Sequence, residues 1–129
     1  MSGNVYVGIW GQSNAVGRAK RADIYTSPLS SDPGLATFDG GTFSRVYIWT
    51  GSGFSQLQAS NNQSLVGDFG PEFGLAVRWM RETSSGNLFI QKEAESGVSI
   101  SYFAPASGTG IAAFSRTASA VAWLASNGH

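Results

Sequence analysis

One serine hydroxyl stands where an apolar segment gives way to a polar turn. Residues 7–14 read Val-Gly-Ile-Trp-Gly-Gln-Ser-Asn, so Ser13 follows a strand predicted over residues 5–10. The carboxyl edge of a parallel sheet is where α/β proteins bind ligands. Gly11 permits a tight turn, and the amides after it can point at a developing negative charge. The pattern predicts a nucleophilic hydroxyl, and the alternative is that Ser13 only caps the following turn.

The base that would activate this hydroxyl is missing from the sequence pattern. A serine is a weak nucleophile until a neighbouring base takes its proton. The one histidine, His129, follows a helix stop at Asn127-Gly128 and has no carboxylate at a suitable spacing. We therefore expect His129 to be an exposed residue without a catalytic role.

Composition limits the classes of partner that this chain can bind. Its 129 residues fit one domain, with 42% hydrophobic and 12% charged residues. Eight basic and eight acidic side chains balance, so there is no electrostatic signal for nucleic acid or anionic lipid. Arg18, Lys20 and Arg21 form a small basic cluster, which we interpret as a solvated loop.

Several kinds of site and segment are absent from the pattern. Without cysteine there is no disulfide or thiolate metal site, and His129 with scattered carboxylates gives no zinc-ligand spacing. No apolar run approaches the ~20 residues that span a bilayer. Residues 1–4 lack the basic region of a signal peptide, which leaves a cytoplasmic, virion-associated or trimmed secreted protein open.

Alternating strand and helix patterns predict an α/β protein. Strands are predicted at residues 5–10, 45–50 and 88–91, with an antiparallel return at 54–57. One helix begins at Pro71 and ends before Ser85-Gly86. Loops are predicted at residues 14–44, 58–70 and 93–109. A short helical turn is predicted within the first of these loops, at residues 15–22.

The last predicted helix carries an apolar face. Its members recur at helical spacing and are expected to face the core: Ile111, Phe114, Ala118, Val121, Ala122 and Ala125. Strands joined by helices imply a parallel sheet, in which this helix should lead to a further strand. Because an unpaired apolar sheet edge promotes aggregation, we expect another polypeptide segment to complete the sheet.

Three motifs follow one another along the chain: Gly11-Gln12-Ser13-Asn14, then Gly67-Asp68-Phe69-Gly70-Pro71-Glu72, then Ala94-Glu95-Ser96-Gly97-Val98-Ser99-Ile100. This order resembles the SGNH-type hydrolases, specifically the sialate O-acetylesterase-like group that includes acetylxylan esterases. The resemblance covers most of the chain but only the amino-terminal half of such a domain. It implies a three-layer α/β/α fold with a parallel flavodoxin-like sheet, of which residues 1–129 form the amino-terminal part.

The resemblance also implies a site and a reaction. Ser13 corresponds to the nucleophile of a carbohydrate O-acetylesterase, and the amides of Ser13 and Gly97 to its oxyanion hole, although Ser96 replaces a family glycine. No metal or organic cofactor is implied. The family's His-Gln-Gly-Glu-like and Asp-x-x-His segments are not in this sequence. The catalytic histidine and aspartate are then expected on a second polypeptide or a further segment.

Other polar residues of these motifs have smaller expected roles. Four residues are candidates for the substrate pocket: Gln12, Asn14, Glu95 and Tyr102. Glu72 is interpreted as a partner of the helix dipole. Because the base is missing, a second interpretation stays open: a non-catalytic glycan-binding or structural module derived from such a hydrolase.

Overall fold

Strands and helices are both present in a computed structural model that describes residues 3–20, 42–64 and 68–129. In chain order the elements are β1 (Val5–Gly11), α1 (Ser13–Val16), β2 (Ala19–Lys20), β3 (Val46–Trp49), β4 (Phe54–Gln56), β5 (Asp68–Phe69), α2 (Pro71–Glu82), β6 (Leu88–Ala94), a 3-10 helix (Ile100–Phe103) and α3 (Gly108–Ser126).

Four of the strands form one mostly parallel sheet in the order β1-β6-β3-β4. β6 pairs in parallel with β1, from Val5 opposite Leu88 to Gly11 opposite Ala94, and in parallel with β3 on its other side. β4 returns antiparallel to β3. The predicted α/β class, parallel pairing and antiparallel return are thus confirmed.

The two long helices pack on opposite faces of this sheet. Ala76 of α2 belongs to a core cluster with Val46, Ile48 and Ile90. Ala120 and Leu124 of α3 belong to a second cluster with Phe89, Trp49 and Phe54. Neighbouring strand residues point to opposite faces, so Phe89 and Ile90 fill different clusters. The sheet therefore carries a hydrophobic core on each side.

The order of the parallel strands differs from the expected flavodoxin-like order. That order places the first strand between the second and the third, whereas here the third parallel strand, β6, lies between β1 and β3. Burial explains this arrangement, because Leu88 to Gln91 are all buried while no residue of β1 is. A strand buried on both faces suits the centre of a sheet, and the half-exposed β1 suits its edge.

Several predicted boundaries were wrong. β6 continues to Ala94, through residues assigned to a loop, because its charged side chains are ion-paired. The predicted loops also contain the antiparallel pair β2–β5 and the 3-10 helix. The helical turn lies at Ser13–Val16 rather than at 15–22. Residues 21–41 of the long predicted loop lie outside the described part of the chain.

The face of α3 that was expected to be buried is instead exposed. Ile111, Phe114 and Val121 are 58%, 48% and 48% exposed. The buried positions lie one residue earlier: Gly110, Ala113, Ala120 and Leu124. Both sets are apolar, so helical periodicity alone does not distinguish them. In the three described ranges no helix is long and apolar enough to cross a membrane.

Candidate functional site

The carboxyl ends of β1 and β6 lie side by side and bring two of the motifs together. Gly11 is the register partner of Ala94, and the Glu95 amide donates to the Gly11 carbonyl at 3.1 Å. The polar turn that contains Ser13 therefore begins beside the segment that contains Gly97. This juxtaposition follows from parallel pairing, which places both strand ends at one edge.

A cavity of about 230 Å³ opens where these two segments meet. Its lining residues come from the β1 turn, from the segment after β6 and from the 3-10 helix: Gly11, Gln12, Val98, Ser99 and Phe103. Phe103 packs edge-on against Trp10 with ring centroids 5.8 Å apart. The cavity thus has one aromatic wall and a polar rim.

Ser13 is the first residue of α1, and Gly97 lies in a turn after β6. Gln12, not Ser13, is the capping residue of α1, and its side chain makes no capping hydrogen bond. Gly97 has a φ of 76°, a left-handed conformation that glycine adopts without strain. Within the described ranges, neither the Ser13 hydroxyl nor the amides of Ser13 and Gly97 have a hydrogen-bond partner.

The four pocket candidates occupy different places. Gln12 lines the cavity just described, whereas Asn14 lines a second cavity of about 500 Å³ between α1 and the start of α2. Glu95 is exposed at the end of β6. Tyr102 is half-buried, packs against Phe103 and lines neither cavity. Gln12 is thus the one candidate of the four that lines the cavity of about 230 Å³, and Ser13 and Gly97 are not among its lining residues.

The basic cluster is a solvated surface only in part. Arg18 and Lys20 are exposed, and Arg21 lies outside the described residues. The Lys20 ammonium, however, pairs with the buried Asp68 carboxylate at 2.6 Å. This ion pair joins β2 to β5 beside the second cavity.

His129 lies at the opposite end of the sheet from Ser13. Its ring packs against Phe89 at 4.8 Å between centroids, and its Nδ1 lies 3.4 Å from the Asn4 amide. Asn4 precedes β1 and Ser13 follows it, so the length of β1, about 23 Å, separates the two ends. The structure therefore confirms that His129 is not placed to activate Ser13.

A buried ion pair anchors the turn that contains Ser13. The sequence pattern did not predict this pair. Lys92 and Glu72 have side chains only 2% and 0% exposed, and Lys92 Nζ lies 3.0 Å from Glu72 Oε2. The ammonium also donates to the carbonyl of Val16, the last residue of α1, at 2.6 Å. Ser64 Oγ donates to the same carbonyl at 2.7 Å. The end of α1 is thus fixed to β6 and α2.

Glu72 does more than complement the dipole of α2. Its Oε1 accepts the Gly70 amide at 2.8 Å, which satisfies a donor at the helix start, while its Oε2 faces Lys92. Burial lowers the pKa of the Lys92 ammonium, and the Glu72 charge opposes that shift. Lys92 directly follows the apolar run at residues 88–91, and this position was the available signal in the sequence, because a charged side chain that is buried needs a partner.

The end of α1 also contacts the start of α2 through two glycines. A Cβ placed on Gly17 would lie 2.5 Å from the Gly70 nitrogen and 2.5 Å from the Phe69 carbonyl carbon. Gly17 has a φ of 89°, so its backbone conformation also favours glycine. The turn that carries Ser13 is therefore held by polar contacts and by close backbone packing.

A second polar cluster lies on the α3 face of the sheet. The Glu93 carboxylate, which is 5% exposed, binds the Arg116 guanidinium through Nε and Nη2 at 3.0 and 2.6 Å. Gln91 donates to Glu93 at 2.8 Å and accepts from the Tyr6 hydroxyl. These contacts explain why Gln91 and Glu93 continue the strand. They pair buried polar groups and leave Ser13 untouched.

The Tyr6 hydroxyl is expected to titrate late. Burial and the nearby Glu93 charge raise its pKa above the ordinary 10.0. The folded state therefore holds this proton more tightly, so Tyr6 contributes stability below pH 10 that is lost as the pH rises through its folded pKa. The difference between the absorbance titrations of the wild type and of Tyr6→Phe should have its midpoint above pH 10.0. A midpoint at or below that value would contradict the burial argument.

Metal ligands do not cluster in the described part of the chain. No group of three His, Cys, Asp or Glu side chains could hold an ion there. Comparison with known proteins gave no matching family model, no similar curated protein and no similar solved structure. The comparisons therefore neither support nor oppose a function for the site.

Proposed function

We propose that this chain carries the nucleophile half of a serine esterase that removes acetyl groups from carbohydrates. The observation that carries the proposal is the meeting of the turns that contain Ser13 and Gly97 at adjacent parallel strand ends, where the neighbouring residues Gln12, Val98 and Ser99 line one cavity. The fold we propose is of the SGNH type, with a strand order that differs from the flavodoxin-like one. The resemblance of the three motifs supplies the reaction class.

Two features of the site support acyl transfer at Ser13. The amides of Ser13 and Gly97 have no acceptor among the described residues, so both are free to bind the oxyanion of a tetrahedral intermediate. The anchored end of α1 restricts the position of the hydroxyl, and restricted geometry is itself a large part of catalysis. Ser13 would attack the acetyl carbonyl and form an acetyl-enzyme that water then hydrolyses.

The proton of Ser13 requires a base, which we propose comes from a second polypeptide. No described residue hydrogen-bonds the hydroxyl, and His129 lies at the other end of β1. A histidine oriented by an aspartate would accept this proton and return it to the leaving sugar oxygen. β1 is an edge strand of the described sheet, which leaves room for such a partner beside Ser13.

Acetate release tests the proposal. The tagged chain is recovered from its native cells, denaturing intact-mass spectrometry identifies every polypeptide present, and acetate release from O-acetylated oligosaccharides is measured. Ser13→Ala should abolish release, since loss of a triad serine costs roughly a millionfold, and should leave the unfolding midpoint unchanged. Ser99→Ala, a serine of the same cavity, is the matched control and should retain release. Full acetate release by Ser13→Ala would refute the assignment.

A non-catalytic glycan-binding module is the second candidate. The observation that favours it is the unpartnered Ser13 hydroxyl, which resembles a site without its base. This candidate predicts that O-acetylated oligosaccharides bind to the recovered chain without turnover. Gln12→Ala should then weaken binding, because Gln12 lines the cavity.

A further inference from the structure

The cavity of about 230 Å³ at the carboxyl ends of β1 and β6 is small and partly apolar. Val98 and Phe103 are the large apolar residues of its lining, and the others are glycine or polar: Gly11, Gln12 and Ser99. Sites that hold a whole small-molecule ligand usually measure roughly 300–1,000 Å³. The volume and the apolar walls of this cavity therefore suit a small apolar group better than a sugar ring with its hydroxyls.

The cavity adjoins both proposed oxyanion donors along the chain. Gln12 precedes Ser13, and Val98 follows Gly97. In the proposed reaction the acyl carbon bonds to the Ser13 oxygen as the sugar oxygen leaves with a proton, and water then releases the acid. The acyl group is therefore the part of the substrate that stays at Ser13 through both steps. Its alkyl end is the small apolar group that the cavity fits.

The backbone around Phe103 is held by the start of α3. Ser107, the capping residue of α3, has its Oγ 2.9 and 2.8 Å from the carbonyl oxygens of Tyr102 and Ala104. A Cβ placed on Gly110 would lie 2.0 Å from the Ala104 carbonyl oxygen and 2.9 Å from the carbonyl carbon of Phe103. This close approach leaves the Phe103 backbone no room to move toward α3.

The ring of Phe103 is held by a row of aromatic contacts. Phe103 is 8% exposed, and its ring centroid lies 5.8 Å from that of Trp10 and 5.0 Å from that of Tyr102. Trp10 in turn packs against Phe114 of α3 at 5.1 Å between centroids. A wall supported in this way resists an added methylene, because overpacking forces side chains away from their preferred rotamers.

We propose that Phe103 restricts the esterase to short acyl groups, and that Phe114 positions Phe103 through Trp10. This inference rests on the proposed function, because it concerns the acyl side of that reaction. Phe103 meets the acyl group and determines specificity, whereas Phe114 acts only through Trp10 and is a positioning residue. Each methylene added to the acyl group should lower kcat/KM about tenfold or more, as is usual for a hydrophobic site.

Esters that share one leaving group and differ in acyl length test the proposal. The chain recovered from its native cells, with its partners, is assayed with p-nitrophenyl acetate, propionate and butyrate. The readout is the kcat/KM for butyrate divided by that for acetate, which does not depend on the folded fraction because both values come from one sample. Phe103→Ala should raise this ratio at least about tenfold, since loss of the ring makes room for the longer chain.

Variants of α3 test the positioning role. Phe114→Leu should raise the butyrate-to-acetate ratio less than Phe103→Ala does, and Phe114→Tyr, which keeps the ring, should restore the wild-type ratio. Val121→Ala is the matched control, because Val121 is 48% exposed like Phe114 and lies on the same helix, about 10 Å further along its axis. Its ratio should equal that of the wild type. An unchanged ratio in Phe114→Leu would overturn the positioning role.

The outcomes separate this inference from the esterase function. Hydrolysis that depends on Ser13, with a ratio that Phe103→Ala leaves unchanged, would overturn the role of Phe103 and leave the esterase function standing. A wild type that hydrolyses butyrate as fast as acetate would do the same. No Ser13-dependent hydrolysis of any of the three esters would overturn both.

Discussion

Lys92→Met is expected to lower the free energy of unfolding by about 3–5 kcal/mol, as measured by urea denaturation. The substitution keeps the length of the side chain but leaves the Glu72 carboxylate buried without its counter-ion. It also removes a donor from the Val16 carbonyl. Arg78→Met is the control, because the Arg78–Glu82 pair is exposed, with side chains 76% and 58% accessible. Loss of an exposed pair costs less than about 1 kcal/mol.

Adding Glu72→Gln to Lys92→Met should recover part of that loss. The amide removes the buried charge, and its oxygen can still accept the Gly70 amide. Recovery would attribute the loss to the unpaired carboxylate rather than to packing around Lys92. If Lys92→Met is no less stable than Arg78→Met, the buried pair does not anchor α1 and this part of the account is wrong.

Gly17→Ala is the second substitution that we expect to lower the free energy of unfolding strongly. Its Cβ would lie 2.5 Å from backbone atoms of Phe69 and Gly70, so α1 must move away from the start of α2. Gly51→Ala is a well-matched control: Gly51 has a φ of 101°, also left-handed, but a Cβ there meets nothing within 4 Å. The left-handed conformation alone costs an alanine roughly 1–2 kcal/mol. We expect Gly17→Ala to lower the free energy of unfolding by at least a further ~1–2 kcal/mol beyond the loss caused by Gly51→Ala.

Equal effects of the two alanine substitutions on the urea midpoint would contradict the close contact. A larger effect of Gly17→Ala would show that the extra loss of stability comes from the close contact between α1 and the start of α2. Both predictions concern the same turn, because Lys92 fixes the carbonyl of Val16 while Gly17 fixes the next residue. Together the two predictions test whether the contacts at the end of α1 hold Ser13 in one position.

The strand ends that build the site could be predicted from residue types. The apolar run before Gly11 and the one that begins at Leu88 both form strands that end at polar turns. Parallel pairing then brings those turns together, as expected from strands joined by helices. Pro71 begins α2 and Asn127 ends α3, where the capping signals placed them.

The contacts that hold the site could not be predicted in the same way. The predicted strand ended at Gln91 and did not include Lys92, and only the pairing of Lys92 with Glu72, twenty residues away, allows this charged side chain to be buried. The buried face of α3 was misassigned because the exposed face is apolar as well, and periodicity cannot choose between them. The strand order depends on which strand is buried on both sides, which is a property of the whole sheet.

Labelling with a fluorophosphonate, with and without added imidazole, tests the central claim most directly. This reagent phosphonylates an activated serine, and imidazole in solution can replace a missing base. Intact-mass and peptide mapping of the purified chain should find one label, on Ser13, that increases with imidazole. The label should disappear in Ser13→Ala and persist in Ser99→Ala. No label on Ser13 at any imidazole concentration, or equal label on Ser99, would contradict its role as the nucleophile.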